Sequence, residues 1–364
     1  MTRTLSVATI GGDGIGPEVI GAAVPAIGRA AADAGANIVW EHLPFGADHY
    51  LETGETLPDD AYRHLRDEVD AIFLGALGDP RVPGNEHARD ILLGLRFRLD
   101  LYVNLRPVRL LHPSLCALGP PPPGTAADPE ESGRQIDLVI FRENTEGGYL
   151  GRGSARNVGT AREEQISEEI HTAPKVDRIL RAALEWATKH RRRRVTLCDK
   201  ANAIPAHRLW QRLFHEIGHE FPDVEREHRY VDALAMELVR EPERFDVIVT
   251  SNLYGDILSD LGAGLVGGLG LAPSANLHPG RPGLFEPVHG SAPQLAGTGT
   301  ANPMAAILTG ALLLAHCGLE HAAGRLENAV RAALEAGETT PDLGGSRSTH
   351  AVAEWIVEWL DRTG

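Results

Sequence analysis

The chain is poor in cysteine. Cys116, Cys198 and Cys317 are the only three in 364 residues. They are odd in number and far apart, which supports neither a disulfide framework nor a zinc-ligand spacing. The expected setting is a reducing cytoplasm in which they pack as small buried apolar side chains. Long apolar runs are missing too. No stretch reaches the length of a membrane-spanning helix, and Met1-Thr-Arg-Thr-Leu-Ser-Val-Ala-Thr-Ile10 reads straight into a strand, so neither a membrane span nor a secretory leader is expected. Positive charge is scarce. A formal net charge of −15 lacks the basic field that phosphate backbones require, which argues against nucleic acid as a partner. The one basic run, four arginines at 191–194, separates a helical stretch from a strand and reads as a solvated helix end. Tandem repeats of the solenoid kind are absent as well.

What is present suits a globular protein large enough to bury a sizeable core in two lobes, with 43% hydrophobic and 23% charged residues. Strand-like runs at 6–10, 38–41 and 71–74 alternate with helical patterns at 17–32, 58–68 and 88–99, which predicts an α/β layer structure. A proline- and glycine-rich stretch at 119–133 is expected as an exposed excursion before a strand at 136–141, and from Val176 the alternation resumes. Gly11-Gly-Asp-Gly14-Ile-Gly16 lies between a strand and a helix, with Glu41 ending the next strand, an arrangement that invites a dinucleotide-binding reading. Its spacing is G-x-G-x-G, and Pro17 suits the first helical position, so a tight turn is the better account.

Chemistry concentrates further on. In Ser251-Asn-Leu-Tyr-Gly-Asp256-Ile-Leu-Ser-Asp260, a strand at 245–250 hands over to a helix with Asp256 at or near its start. Asp256 and Asp260 are then i and i+4 on one helix face, able to converge on a hard cation. Taken alone, the segment equally allows an N-cap aspartate with a second acid on a solvated face. Asp232 occupies a similar strand-to-helix junction, and magnesium or manganese favours such oxygen ligands. Arg96, Arg106 and Arg142 sit at helix and strand ends, and their planar forks suit the carboxylates of an anionic substrate. Lys200 follows a strand beside an apolar stretch, where desolvation or a nearby cation would lower its pKa enough for base chemistry.

Taken together, these motifs resemble the isocitrate and isopropylmalate dehydrogenase family, the metal-dependent oxidative decarboxylases of β-hydroxy acids. The resemblance rests on Gly12-Asp-Gly-Ile-Gly-Pro-Glu18, Asn104-Leu-Arg-Pro107, Arg142-Glu-Asn-Thr-Glu-Gly147, Asp199-Lys-Ala-Asn202, the Asp256/Asp260 segment, Glu286-Pro-Val-His-Gly-Ser-Ala-Pro293 and Ala301-Asn-Pro303, spread over nearly the whole chain. It implies a two-domain α/β fold with a large mixed sheet flanked by helices, not a Rossmann fold. Residues 1–102 and 265–364 would form a large nucleotide-binding domain and 103–264 a small central domain with dimer contacts, the active site lying in the cleft. Arg96, Arg106 and Arg142 would clamp a small dicarboxylate, and Asp232, Asp256 and Asp260 would hold Mg2+ or Mn2+. Lys200 would assist proton removal from the C2 hydroxyl, and Tyr149 would protonate the enol left after decarboxylation. The nucleotide would meet Glu286, His289, Gly290, Ser291, Ala292, Gln294 and Asn302. In this family the residues matching Lys200 and Asp232 reach the site from the partner subunit, so a homodimer with shared sites is implied.

Two departures bear on specificity. After Pro293, NAD-dependent members usually carry aspartate and NADP-dependent ones lysine followed by tyrosine, whereas Gln294 and Leu295 stand here. Glutamine can bond a ribose hydroxyl but neither repels nor neutralises a 2'-phosphate, so NAD is the expected cofactor and use of NADP stays open. Arg89, Leu92, Leu93 and Arg96 share one helix face at i, i+3, i+4 and i+7. The leucine pair resembles the isopropylmalate and tartrate/D-malate enzymes, yet Arg89 replaces the glutamate of isopropylmalate enzymes. The substrate expected is a (2R)-malate-type acid, namely 3-isopropylmalate, another 3-substituted malate, or D-malate/tartrate. NADP-dependent action on isocitrate or homoisocitrate is the alternative. A non-catalytic regulatory subunit is a further one, countered by the presence of Lys200, Tyr149, three arginines and three aspartates.

Overall fold

The computed structural model describes residues 3–119 and 134–363. The excursion expected at 119–133 lies outside them from residue 120 on. The chain divides into two compact units, Met1–Leu101 with Leu110–Gly119 and Ala263–Gly364 in one, Tyr102–Arg109 with Pro120–Gly262 in the other.

The first unit opens with β1 (Arg3–Gly12), α1 (Gly16–Asp33), β2 (Ala36–Leu43), α2 (Ala47–Thr53), α3 (Asp59–Asp67), β3 (Ala71–Ala76) and α4 (Glu86–Arg98). Both β2 and β3 pair with β1 in parallel. Every residue of β3 is buried, as a parallel strand covered on both faces requires. On α1, Val19, Ala23, Ala26 and Ala30 form a buried stripe at helical spacing.

The second unit contains β4 (Val103–Arg109), β5 (Asp137–Glu143), the short β6 (Gly153–Arg156) and β7 (Glu164–Ser167), α5 (Ala173–Lys189), β8 (Arg194–Asp199), α6 (Arg208–Gly218), β9 (Glu225–Tyr230), α7 (Val231–Arg240), β10 (Val247–Thr250) and most of α8 (Asn252–Leu265). Its main strand order is β4-β5-β10-β8-β9. Along that order, among the described residues, only the β4–β5 pair is antiparallel. Register sets Arg142 beside Thr250 and Thr250 beside Cys198, so β5, β10 and β8 end level with one another. That carboxyl edge is where open α/β sheets bind ligands. Among the described residues, strands β6 and β7 pair only with each other, and both are exposed throughout.

The chain then returns to the first unit through β11 (Pro273–Leu277), β12 (Gly283–Pro287), α9 (Met304–His316), α10 (Glu320–Glu335) and α11 (Thr349–Thr363). These complete the strand order β2-β1-β3-β12-β11, with β12 parallel to β3 and antiparallel to β11. Among the described residues no helix is long and apolar enough to cross a membrane.

Three local expectations need correction. The helix after β10 starts a turn earlier than Asp256, because the Ser251 carbonyl already accepts the Gly255 amide; Asp256 is therefore not an N-cap. Cys116 is half buried, unlike Cys198 and Cys317, since it lies in a connecting segment, and such segments run over the surface. The arginines at 191–194 are not simply solvated: Arg192 pairs with Asp137, Arg193 and Arg194 with Glu225.

Candidate active site

In the second unit two arginines converge on the Asp256 carboxylate. Arg106 pairs across the sheet with Ile140, two residues before Arg142, so both arginines rise from the same face of β4 and β5. Arg142 is 1% exposed. Its Nη1 donates to Asp256 Oδ1 at 2.5 Å, and its Nε and Nη2 donate to Asn252 Oδ1 at 2.9 and 2.7 Å. Arg106 Nη1 lies 3.2 Å from the same Asp256 oxygen and 3.5 Å from Asp260 Oδ1, and donates to Ser259 Oγ at 2.6 Å. Gly255 makes this approach feasible, because a Cβ there would lie 2.5 Å from the Arg142 side chain.

Tyr149 donates its hydroxyl to the other Asp256 oxygen at 2.8 Å. Burial, then that hydrogen bond, pushes the phenol above its ordinary range, so the group is a protonated donor at neutral pH. Asp260, half exposed, has its carboxyl pushed up by partial burial; Arg106 opposes that shift and Asp256 adds to it. Two carboxylates one helical turn apart are hard oxygen donors that a divalent cation would relieve of mutual repulsion, so the donor chemistry fits Mg2+ or Mn2+.

Lys200 and Asp232 form a pair of their own. Lys200 Nζ donates to Asp232 Oδ1 at 2.6 Å, and this contact holds the Asp232 carboxyl below its ordinary range. The partner of Lys200 is thus an anion, where the sequence suggested desolvation or a second cation. Among the described residues, the three-member group of His, Cys, Asp or Glu ligand atoms gathered within 4.8 Å is Glu169, His171 and His207. Asp232 does not join Asp256 and Asp260 in such a group within one chain.

The first unit carries the remaining residues. On α4, Arg96 is buried, Leu92 and Leu93 are half buried and Arg89 is exposed. Arg96 Nη2 donates to Glu286 Oε1 at 2.7 Å, and Asn276 Nδ2 donates to the same oxygen at 2.8 Å. Arg96 Nε is buried and has no partner among the described residues, which leaves a donor for an anionic group. The loop after β12 places His289 with its Nε2 buried and likewise unpartnered among the described residues. Burial lowers the His289 pKa, so a neutral ring with one open nitrogen is offered, as a polar cofactor group would need. Ser291 accepts the Ile15 amide at 2.8 Å through its carbonyl, and a Cβ on Gly14 would lie 1.9 Å from that oxygen. The glycine-rich turn therefore braces this loop. Asn302, two residues before the start of the next helix, accepts the Met304 amide at 3.0 Å through its side chain, while Gly290 and Gln294 are exposed and Ala292 half buried. Glu41 instead accepts His64 Nε2 at 2.6 Å.

A sequence profile of the isocitrate/isopropylmalate dehydrogenase family matches residues 6–356. The chain belongs to that family. It is 45% identical over 333 residues to a 3-isopropylmalate dehydrogenase of Beutenbergia cavernae, covering 91% of this chain and 92% of that protein. Among solved structures it is similar to an isocitrate dehydrogenase from Methylococcus capsulatus, at a TM-score of 0.86 and 39% identity over 98% of this chain and 99% of that one. A β-decarboxylating dehydrogenase from Thermococcus kodakarensis matches at 0.80 and 34%, covering 98% of this chain and 96% of that one. As a member of the isocitrate/isopropylmalate dehydrogenase family, the chain is a decarboxylating dehydrogenase.

Sequence reasoning missed Asn252 and Ser259, which bond the two arginines, and the trio Glu169, His171 and His207. Asn252 and Ser259 lie inside the segment already singled out, and Ser259 is i+3 from Asp256, a spacing that could have flagged it. Nothing in the local sequence marks the trio.

Proposed function

We propose that the chain oxidises and decarboxylates 3-isopropylmalate with NAD as hydride acceptor and Mg2+ or Mn2+ as the ion, acting in the cytoplasm as a homodimer. The observation that carries this reading is the cluster in which Arg106, Arg142 and Tyr149 surround the Asp256 carboxylate with Asp260 beside it. Arg96, Arg106 and Arg142 bind the substrate carboxylates through paired, charge-assisted hydrogen bonds. Lys200 Nζ assists removal of the proton of the C2 hydroxyl, with Asp232 orienting it. Asp232, Asp256 and Asp260 hold the ion. When bound, the ion would supply Lewis-acid polarisation at the C2 oxygen and NAD would supply the hydride acceptor, so that oxidation at C2 would leave a carbonyl β to the departing carboxylate. Tyr149 Oη then gives its proton to the enol carbon. The dinucleotide is assigned to Glu286, His289, Gly290, Ser291, Ala292, Gln294 and Asn302, with 1–102 and 265–364 as its domain and 103–264 as the domain of dimer contacts. NAD is favoured over NADP because Gln294 offers no charge to a 2'-phosphate.

The homodimer draws support from apolar side chains left exposed on the second unit, Met236 and Val239 on α7, Leu253 and Ile257 on α8, and Ile166 on β7. It is further supported by the separate Lys200–Asp232 pair, which one subunit can lend to the other. Leu92 and Leu93 favour an apolar substituent on C3. Arg89 favours a second reading, D-malate, tartrate or another 3-substituted malate with an anionic group.

The test is a panel of 3-isopropylmalate, D-malate, tartrate, isocitrate and homoisocitrate, each with Mn2+ and with NAD or NADP, following reduced cofactor and released carbon dioxide. The highest kcat/KM is expected for 3-isopropylmalate with NAD. Faster turnover of isocitrate with NADP, or no turnover of any of the five, would overturn the assignment.

A further inference from the structure

Glu169, His171 and His207 have no part in the chemistry above, yet they lie against the loop that presents Lys200. Their ligand atoms fall within 4.8 Å of one another, a spacing that by itself suits a metal. The tautomer of His207 decides otherwise. The Lys200 amide donates to His207 Nδ1 at 3.0 Å, so the ring's lone pair is on Nδ1 and its proton on Nε2. Nε2–H then points at Glu169 Oε1, 3.1 Å away. A cation bound at Nε2 would force the proton onto Nδ1 and set it against the Lys200 N–H, reversing the arrangement in which a ligating histidine donates through its other nitrogen. The group is a chain of hydrogen bonds, not a metal centre.

Each member of that chain is satisfied. His171 Nε2 lies 3.0 Å from the same Glu169 oxygen, and the two histidines hold the Glu169 carboxyl down at about 2, so it stays an acceptor. The His207 side chain is 1% exposed. Its ring meets His171 edge-on at 5.0 Å between centroids and Tyr254 of α8 at 5.5 Å. The far side of Lys200 is fixed as well, because its carbonyl accepts the amides of Ala203 at 2.9 Å and Ile204 at 2.8 Å. With both peptide groups held, the Cα–Cβ direction of Lys200 is set by the backbone, and the N–H half of that restraint depends on one buried imidazole.

We propose that His207, oriented by Glu169, is a positioning residue for Lys200: by accepting the Lys200 amide proton it fixes the backbone from which the side chain is aimed at the substrate's C2 hydroxyl. This rests on the assignment of proton transfer to Lys200. Asn replaces the Nδ1 acceptor at a similar distance from the backbone, whereas Leu fills the space and removes it.

The experiment compares wild type, His207→Leu, His207→Asn, Lys200→Ala and the Lys200→Ala/His207→Leu double variant, with 3-isopropylmalate, NAD and Mn2+, alongside amide hydrogen exchange of the peptide spanning Lys200. His207→Leu is expected to lower kcat about tenfold or more while KM changes less than about threefold, and to speed exchange in that peptide. His207→Asn should recover most of both. The double variant should be no slower than Lys200→Ala, since His207 acts only through Lys200. If Lys200→Ala is inactive and His207→Leu retains kcat, the positioning role is wrong and the role of Lys200 survives. If His207→Leu and His207→Asn lose kcat and exchange protection equally, the Nδ1 acceptor is not what matters and the proposal fails. Full activity of Lys200→Ala removes the Lys200 assignment, and the proposal with it.

Discussion

The Tyr149 hydroxyl donates to Asp256 Oδ2 while Arg142 holds Asp256 Oδ1. One carboxylate thus links the proposed proton donor to the proposed substrate clamp. Its helix also places it one turn from Asp260.

Because burial and Asp256 raise the Tyr149 pKa, the phenol stays protonated well into alkaline pH, and any loss of rate from its ionisation begins above the ordinary tyrosine range. Tyr149→Phe should lower kcat by about 10²-fold or more with a smaller change in KM. Steady-state rates over pH 7 to 10 test this. An unchanged kcat would remove Tyr149 from the proton path.

Gly255→Ala would place a methyl group against Arg142, which is buried and cannot move freely into solvent. A loss of about 1–3 kcal/mol in stability is expected, together with a raised KM for the dicarboxylate. Urea unfolding and initial rates check both. A variant as stable as wild type with the same KM would mean that Arg142 has room to yield.

Glu169 is held at about 2, below its ordinary 4.5. A depressed carboxyl stabilises the folded state fully above its unfolded pKa, and that contribution fades as pH falls from about 4.5 toward about 2. Glu169→Gln should therefore be less stable than wild type at pH 6, by about 1–2 kcal/mol after screening. The gap should narrow at pH 4 and further at pH 3. A gap that widens on acidification would contradict the sign.

Gln294 is exposed on the loop after Pro293, so its replacement costs the fold little. Gln294→Asp should raise the preference for NAD over NADP in kcat/KM by about tenfold, because the new charge opposes a 2'-phosphate. Equal ratios before and after would place the adenosine ribose elsewhere.

Much of this was readable from the chain in order. The strand runs expected at 6–10, 38–41 and 71–74 fall inside β1, β2 and β3, and the helix at 17–32 falls inside α1, because short apolar runs on one side and a long apolar repeat of about 3.6 residues on the other separate such elements. Shorter pieces escaped. The exposed β6 and β7 carry no buried face to impose a pattern, and α2 spans only Ala47–Thr53, with Ala47 its one buried residue.

Local spacing determined, without any structure, that Asp256 and Asp260 share a helix face and that Arg89, Leu92, Leu93 and Arg96 share another, since 3.6 residues per turn is a property of the backbone. Which arginines meet Asp256, and that Lys200 rests on His207 and pairs with Asp232, was decided only by tertiary structure. Arg142 and Asp256 are 114 residues apart, and only the parallel register that sets Arg142 beside Thr250 brings them together. Strand order and register follow from burying whole faces at once, a sum over distant residues that no short window contains.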